Sequence, residues 1–155
     1  MEAESPSFFI PGRIIIPFNY AAGAVASRFF VALRDHSKIL GRRCPQCTRV
    51  IVPPRMFCVR CFTPTSQWVE VKSTGTLVNF TVVRRPEPHH PLKVPFAYGV
   101  IQLDGADTHL VHLLGEIDLE RIQTGMRLRA VFREKRVGSI LDIAYFKPED
   151  NEKSS

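Results

Sequence analysis

The chain has 155 residues, 45% of them hydrophobic, which suffices for one ordinary core or two small modules packed together and excludes two large domains. A formal net charge of +6 favours polyanionic partners (nucleic acid, an acidic protein surface or a phosphate-bearing small molecule) without choosing among them. The longest apolar stretch, Tyr20 to Ala26, is far short of the ~20 residues of a membrane span, and a start holding Glu2, Glu4, Pro6 and Pro11 is unlike a secretory signal. A cytoplasmic protein with no membrane span is expected.

In chain order, residues 1–11 mix acid, Ser and Pro, and residues 149–155 are polar, so both ends are expected to fray. Ile14, Ile15 and Ile16 before Pro17 read as an extended strand or arm with no pairing partner nearby, to be covered by a partner protein. From Phe18 to Leu33, Ala22, Val25, Ala26, Phe29, Phe30 and Leu33 recur at three- and four-residue steps, as on one face of an amphipathic helix. Asn19 is its expected N-cap, while Gly23 and Ser27 weaken the interior and allow two shorter helices. The segment from Lys38 to Arg43 is basic, and the cysteine region that follows contains Pro45, Pro53 and Pro54, which disfavour helix.

After Trp68 come five strand-like runs: Gly75 to Arg84, Phe96 to Leu103, His109 to Leu114, Met126 to Arg133 and Ile140 to Phe146. A Pro-rich loop, Pro86 to Pro95, follows the first run. Asp118 to Ile122 reads as one or two helical turns stopped near Gly125. Met126, Leu128, Ala130 and Phe132 alternate with Arg127, Arg129 and Arg133, the pattern of a strand with one buried and one wet face. Five short strands with a brief helix between the third and fourth have the order of an OB barrel. The reading is therefore mainly β: arm and helix over 1–37, a metal ribbon over 38–67, an OB-fold over 68–148 and a tail over 149–155.

Cys44 and Cys47 form one C-x-x-C pair, and Cys58 and Cys61 form a second at a loop's distance. Each pair bends the chain so that two thiolates point inward, and two pairs complete the tetrahedral sulfur shell that Zn²⁺ prefers. One structural zinc is expected, with iron as the chemical alternative because tetrahedral sulfur suits both metals. Disulfides are disfavoured in a cytoplasmic chain, and a redox pair does not explain the repetition.

With every cysteine a ligand, no thiol nucleophile is left. G-x-S-x-G, phosphate-loop and HExxH patterns are absent from the sequence. His109 and His112, three apart on a strand, should face opposite sides, and all five histidines read as surface residues. Arginines cluster before, within and after the cysteine region, where they suit phosphate or carboxylate contacts.

Taken together, these residues resemble a family with a rubredoxin-like zinc ribbon and a C-terminal OB fold, associated with acyl-CoA enzymes and long catalogued as a domain of unknown function. The likeness runs from Phe29 to about Pro148. It rests on the paired C-x-x-C motifs, Pro53-Pro54-Arg55, Trp68, Gly75-Thr76-Leu77, Pro95-Phe96, Val100 to Asp104, and Ile122 with Gly125-Met126.

The resemblance implies a subunit that is inactive alone and is required by a thiolase-like acyltransferase complex. Its implied partners are a thiolase-type enzyme subunit and a CoA thioester, with Lys38, Arg42, Arg84 and Arg85 at the CoA phosphates. A nucleic-acid module is the alternative, disfavoured because the second and third barrel strands offer little beyond Tyr98 for base stacking. Two departures from the pattern are Thr48 and Phe62, after each knuckle. A β-branched Thr at positive φ is strained, so the first knuckle is expected to be less regular.

Overall fold

The computed structural model describes residues 10, 12, 14 and 16–149, so the expectation of frayed ends concerns residues that lie almost wholly outside it. Helix α1 spans Gly23–His36, beginning later than the apolar periodicity indicated. Asn19 does not cap it: Ala22 holds the N-cap position without a side-chain bond, and Gly23, at φ 80°, takes the turn into the first helical residue. The helix runs unbroken through Ser27 because Phe29, Ala32 and Leu33 bury one face, and tertiary packing outweighs local propensity. Ser37 ends it in the left-handed region, its N–H donating to the Leu33 carbonyl at 3.2 Å. The isoleucine run forms no strand among the described residues. Ile14 and Ile16 are 87% and 73% exposed.

Three antiparallel strands make the ribbon sheet: β1 (Ile39–Arg43), β2 (Val50–Ile51) and β3 (Gln67–Val71), in the order β2-β1-β3. Register pairs Arg42 with Ile51 on one side and with Trp68 on the other. The ribbon sheet thus extends to Val71.

The barrel is built from β4 (Thr74–Val83), β5 (Phe96–Leu103), β6 (His109–Leu114), β7 (Arg127–Phe132) and β8 (Ile143–Pro148), closed in the order β4-β5-β6-β8-β7. That is the five-stranded OB arrangement the alternation predicts. Leu128 is fully buried, and Met126, Ala130 and Phe132 pack on the same core. A 3₁₀ turn at Leu119–Arg121 is capped by Asp118, whose carboxylate accepts from the Glu120 N–H at 3.0 Å. The last strand starts later than its apolar run because Ser139 and Asp142 form a capping box on a second 3₁₀ turn, Ile140–Asp142. Strand β4 closes the barrel, pairing with β5 along its length and with β7 at its start. Gly75 sits at that closure, where a Cβ would lie 2.4 Å from the Gln102 carbonyl oxygen, so the close approach admits no side chain.

One continuous core joins the modules, running from Phe29 and Leu33 of α1 through Ile39, Val50 and Val71 of the ribbon to Leu77, Ile101 and Phe146 of the barrel. The β5–β6 turn adds polar fastening. The Val50 N–H donates to the Asp107 carboxylate at 2.8 Å, and Thr108 Oγ1 bonds both the N–H and the carbonyl of Val52 at 2.8 Å. Among the described residues, no helix is long and apolar enough to cross a membrane.

Candidate metal centre

The two knuckles occupy the loops on either side of β2. In the first, the Cys44 N–H donates to the Arg49 carbonyl at 2.9 Å and the Thr48 N–H to the Cys44 carbonyl at 3.0 Å. In the second, the Cys58 N–H donates to the Thr63 carbonyl and the Phe62 N–H to the Cys58 carbonyl, both at 2.9 Å. Thr48 and Phe62 both take positive φ, 61° and 54°. The expected irregularity of the first knuckle is therefore not observed: it makes the same bonds as the second. Thr48 tolerates the conformation while its Oγ1 donates to the Cys47 carbonyl at 2.7 Å. Thr63 Oγ1 bonds Gln46 Oε1 at 2.6 Å and ties the loops together.

This scaffold brings the sulfurs of Cys44, Cys47, Cys58 and Cys61 within 4.8 Å of one another. Cys44 and Cys58 are buried, and Cys47 Sγ lies 3.6 Å from Cys58 Sγ. Tetrahedral zinc with Zn–S bonds of ~2.3 Å sets its sulfurs ~3.8 Å apart, so the donor set and its spacing fit the ion.

Electrostatics point the same way. N–H groups of Cys61 and Arg60 lower the Cys58 thiol to about 7, whereas hydrogen bonding with Cys47 and then burial push Cys61 up to about 12. One sulfur ionises readily and its neighbour resists a second negative charge. A divalent cation removes that conflict, and four sulfurs close its coordination shell, so the centre is suited to holding the fold rather than to admitting substrate.

The basic residues assigned to CoA are placed two by two. Lys38 precedes β1 and pairs with Glu70 at 2.8 Å. Arg42, on β1, donates to the Thr65 carbonyl and lies over the Trp68 ring, 5.3 Å from its centroid. Arg84 and Arg85 follow β4 at the mouth of the Pro-rich loop, paired with Glu120 at 3.0 Å and Glu87 at 3.8 Å. No ion pair or hydrogen bond among the described residues joins the first pair to the second.

His109 and His112 face opposite sides of β6, as strand geometry requires. The reading of all five histidines as surface residues fails at His112, which is 5% exposed. Its Nε2 lies 3.2 Å from the Ile140 carbonyl, Nδ1 has no partner among the described residues, and burial pushes its pKa down. The cause is tertiary: the 3₁₀ turn Ile140–Asp142 covers this part of β6. Sequence reasoning also passed over Met56, Phe57 and Val59, which the second knuckle leaves exposed, and read Phe62, exposed beside them, only as a departure from the knuckle pattern. An apolar cluster inside a Pro-rich, non-helical loop was the available signal.

Residues 32–65 match the family described as the ChsH2 rubredoxin-like zinc ribbon domain, and residues 68–133 match the ChsH2 C-terminal OB-fold domain. A DUF35 domain-containing scaffold protein of Pyrococcus furiosus is 24% identical over 110 residues, covering 71% of this chain and 79% of the relative. Another, of Methanocaldococcus jannaschii, is 25% identical over 124 residues, covering 77% and 87%.

Two solved structures share the fold. One, an "Ltp2-ChsH2(DUF35) aldolase", has a TM-score of 0.61 at 23% identity, covering 83% of this chain and 98% of that one. The other, a DUF35-family protein of unknown function from Sulfolobus solfataricus, has a TM-score of 0.58 at 23% identity, covering 70% and 78%. With its four converging cysteines and its closed barrel, the chain belongs to the ChsH2 family, a rubredoxin-like zinc ribbon joined to a C-terminal OB fold.

Proposed function

We propose that this chain is a non-catalytic accessory subunit that docks on a thiolase-type acyl-CoA enzyme and helps bind or channel its CoA substrate. The observation that carries the reading is the apolar approach to α1: Ile10, Ile14, Ile16, Phe18 and Tyr20 are all more than 70% exposed, and no described part of the chain covers them. Such a row of large apolar side chains is costly in water and is relieved by burial against another protein. The chemistry agrees, since every cysteine lies in one closed cluster and supplies no nucleophile.

The relatives named scaffold proteins, and the aldolase that pairs Ltp2 with a DUF35 chain, support an assembly role. The finest form of the proposal is the small subunit of a benzoylsuccinyl-CoA thiolase in anaerobic toluene degradation, which the sequence resembles. In this reading the ribbon (38–67) and the OB fold (68–148) act as one docking body. Lys38, Arg84 and Arg85, whose present pairs are exposed and individually weak, swing to the CoA phosphates, with Arg42 beside them.

Co-purification from the native host, followed by identification of what stays bound after a moderate salt wash, tests the docking. The assembled complex should use acyl-CoA, and replacing Arg84 and Arg85 by Ala should raise its KM several-fold with zinc content unchanged. Turnover of acyl-CoA by the isolated chain, or a bound species that is nucleic acid, would overturn the reading.

A further inference from the structure

We infer that the second zinc knuckle is itself a docking surface, built to seat in an apolar pocket rimmed by carboxylates on a partner protein. Met56, Phe57, Val59 and Phe62 lie on this one knuckle and are 62%, 54%, 55% and 80% exposed. Phe62 is the telling residue. The knuckle requires its backbone at φ 54°, a conformation that glycine or asparagine meets with less strain, yet the position carries a large aromatic ring that the chain itself leaves in solvent. Neither backbone geometry nor internal packing accounts for phenylalanine there. A pocket on another molecule does, because aromatic anchors surrounded by lesser apolar contacts are the usual energetic centre of an interface.

Charge identifies the occupant. Residues 38–67 contain six basic residues and no Asp or Glu, so this segment carries the whole +6 of the chain, and the remainder balances fifteen basic against fifteen acidic residues. Four thiolates and a zinc ion offset only about two of those charges. Among the described residues the guanidinium groups of Arg49, Arg55 and Arg60 have no carboxylate partner, and in sequence Arg55 precedes the apolar four while Arg60 stands between Val59 and Phe62. A second copy of this chain would set two such ribbons against each other, which like charge opposes. Met56 and Val59 present aliphatic area that bases cannot stack upon, so a protein surface with Asp and Glu around an apolar recess fits better than single-stranded nucleic acid.

This inference rests on the accessory-subunit reading and names the face that meets the enzyme. The test uses full-length chain and the acyl-CoA enzyme identified by the co-purification above. Phe62→Ala should weaken their binding at least ~10-fold while one zinc is retained. Arg55→Glu with Arg60→Glu, both on exposed side chains, should slow association and flatten its salt dependence, which keeps the proposal testable if Phe62→Ala loses metal. Unchanged binding by both variants sinks the knuckle surface but leaves the accessory reading standing. Failure of the unaltered chain to bind sinks both. Unchanged enzyme binding with loss of affinity for a single-stranded dT oligomer assigns the patch to nucleic acid and overturns the proposal.

Discussion

Four sulfurs confined within 4.8 Å cannot all carry charge without a cation, so metal occupancy and ribbon folding should be one equilibrium. The purified protein is expected to hold one zinc per chain. Cys58→Ser removes a buried ligand and should lower both the stoichiometry and Tm, by ~10 °C or more. Metal analysis of both proteins checks this, and a Cys58→Ser variant with full zinc would refute it. His112 sets a second expectation. Burial lowers its folded-state pKa below the unfolded ~6.5, so below that pH the unfolded state binds the extra proton. Its contribution to stability is present above ~6.5 and is lost as pH falls toward the folded value. Between pH 8 and 5 the parent chain should therefore lose more Tm than His112→Gln, and parallel curves would show that the ring does not titrate on unfolding.

Among the elements, the turn before β8 depends most on a single side chain. Asp142 is 1% exposed, and its carboxylate accepts from the N–H groups of Val137, Gly138 and Ser139 at 2.9, 2.8 and 3.2 Å. Burial alone would raise its pKa, but these donors prevail and hold it below the usual carboxylate range. Asp142→Ala would leave three donors without this acceptor in a covered turn and should cost ~3 kcal/mol, read as a shift in the denaturant midpoint at unchanged m. The turn packs on α1 and lies over His112, so the loss should spread to the helix and bring His112 nearer to solvent. An Asp142→Ala midpoint equal to that of the parent would show that solvent satisfies those donors.

For the whole molecule, the buried apolar core begins at Phe29, and none of the described residues before it is buried. Deleting residues 1–17 should thus leave zinc content and Tm within error of the full chain while weakening assembly with the enzyme. Unchanged assembly, measured by size-exclusion chromatography of the co-expressed proteins, would move the interface away from the arm. The knuckle variants and this deletion address separate surfaces, and their effects on binding should add if the surfaces are independent.

The metal centre was legible because C-x-x-C spacing is covalent: it places two thiolates on one knuckle whatever packs around it. Strands β5 and β6 were legible to the residue, since alternation and turn chemistry are written locally. What only the tertiary structure decided was burial by distant segments. The start of α1, the covering of His112 by residues 140–142 and the recruitment of β3 into the ribbon sheet all depend on neighbours far along the chain. So does the exposure of Phe62. Sequence shows that a side chain is apolar, but only the assembled fold shows whether the chain has anything of its own to put against it.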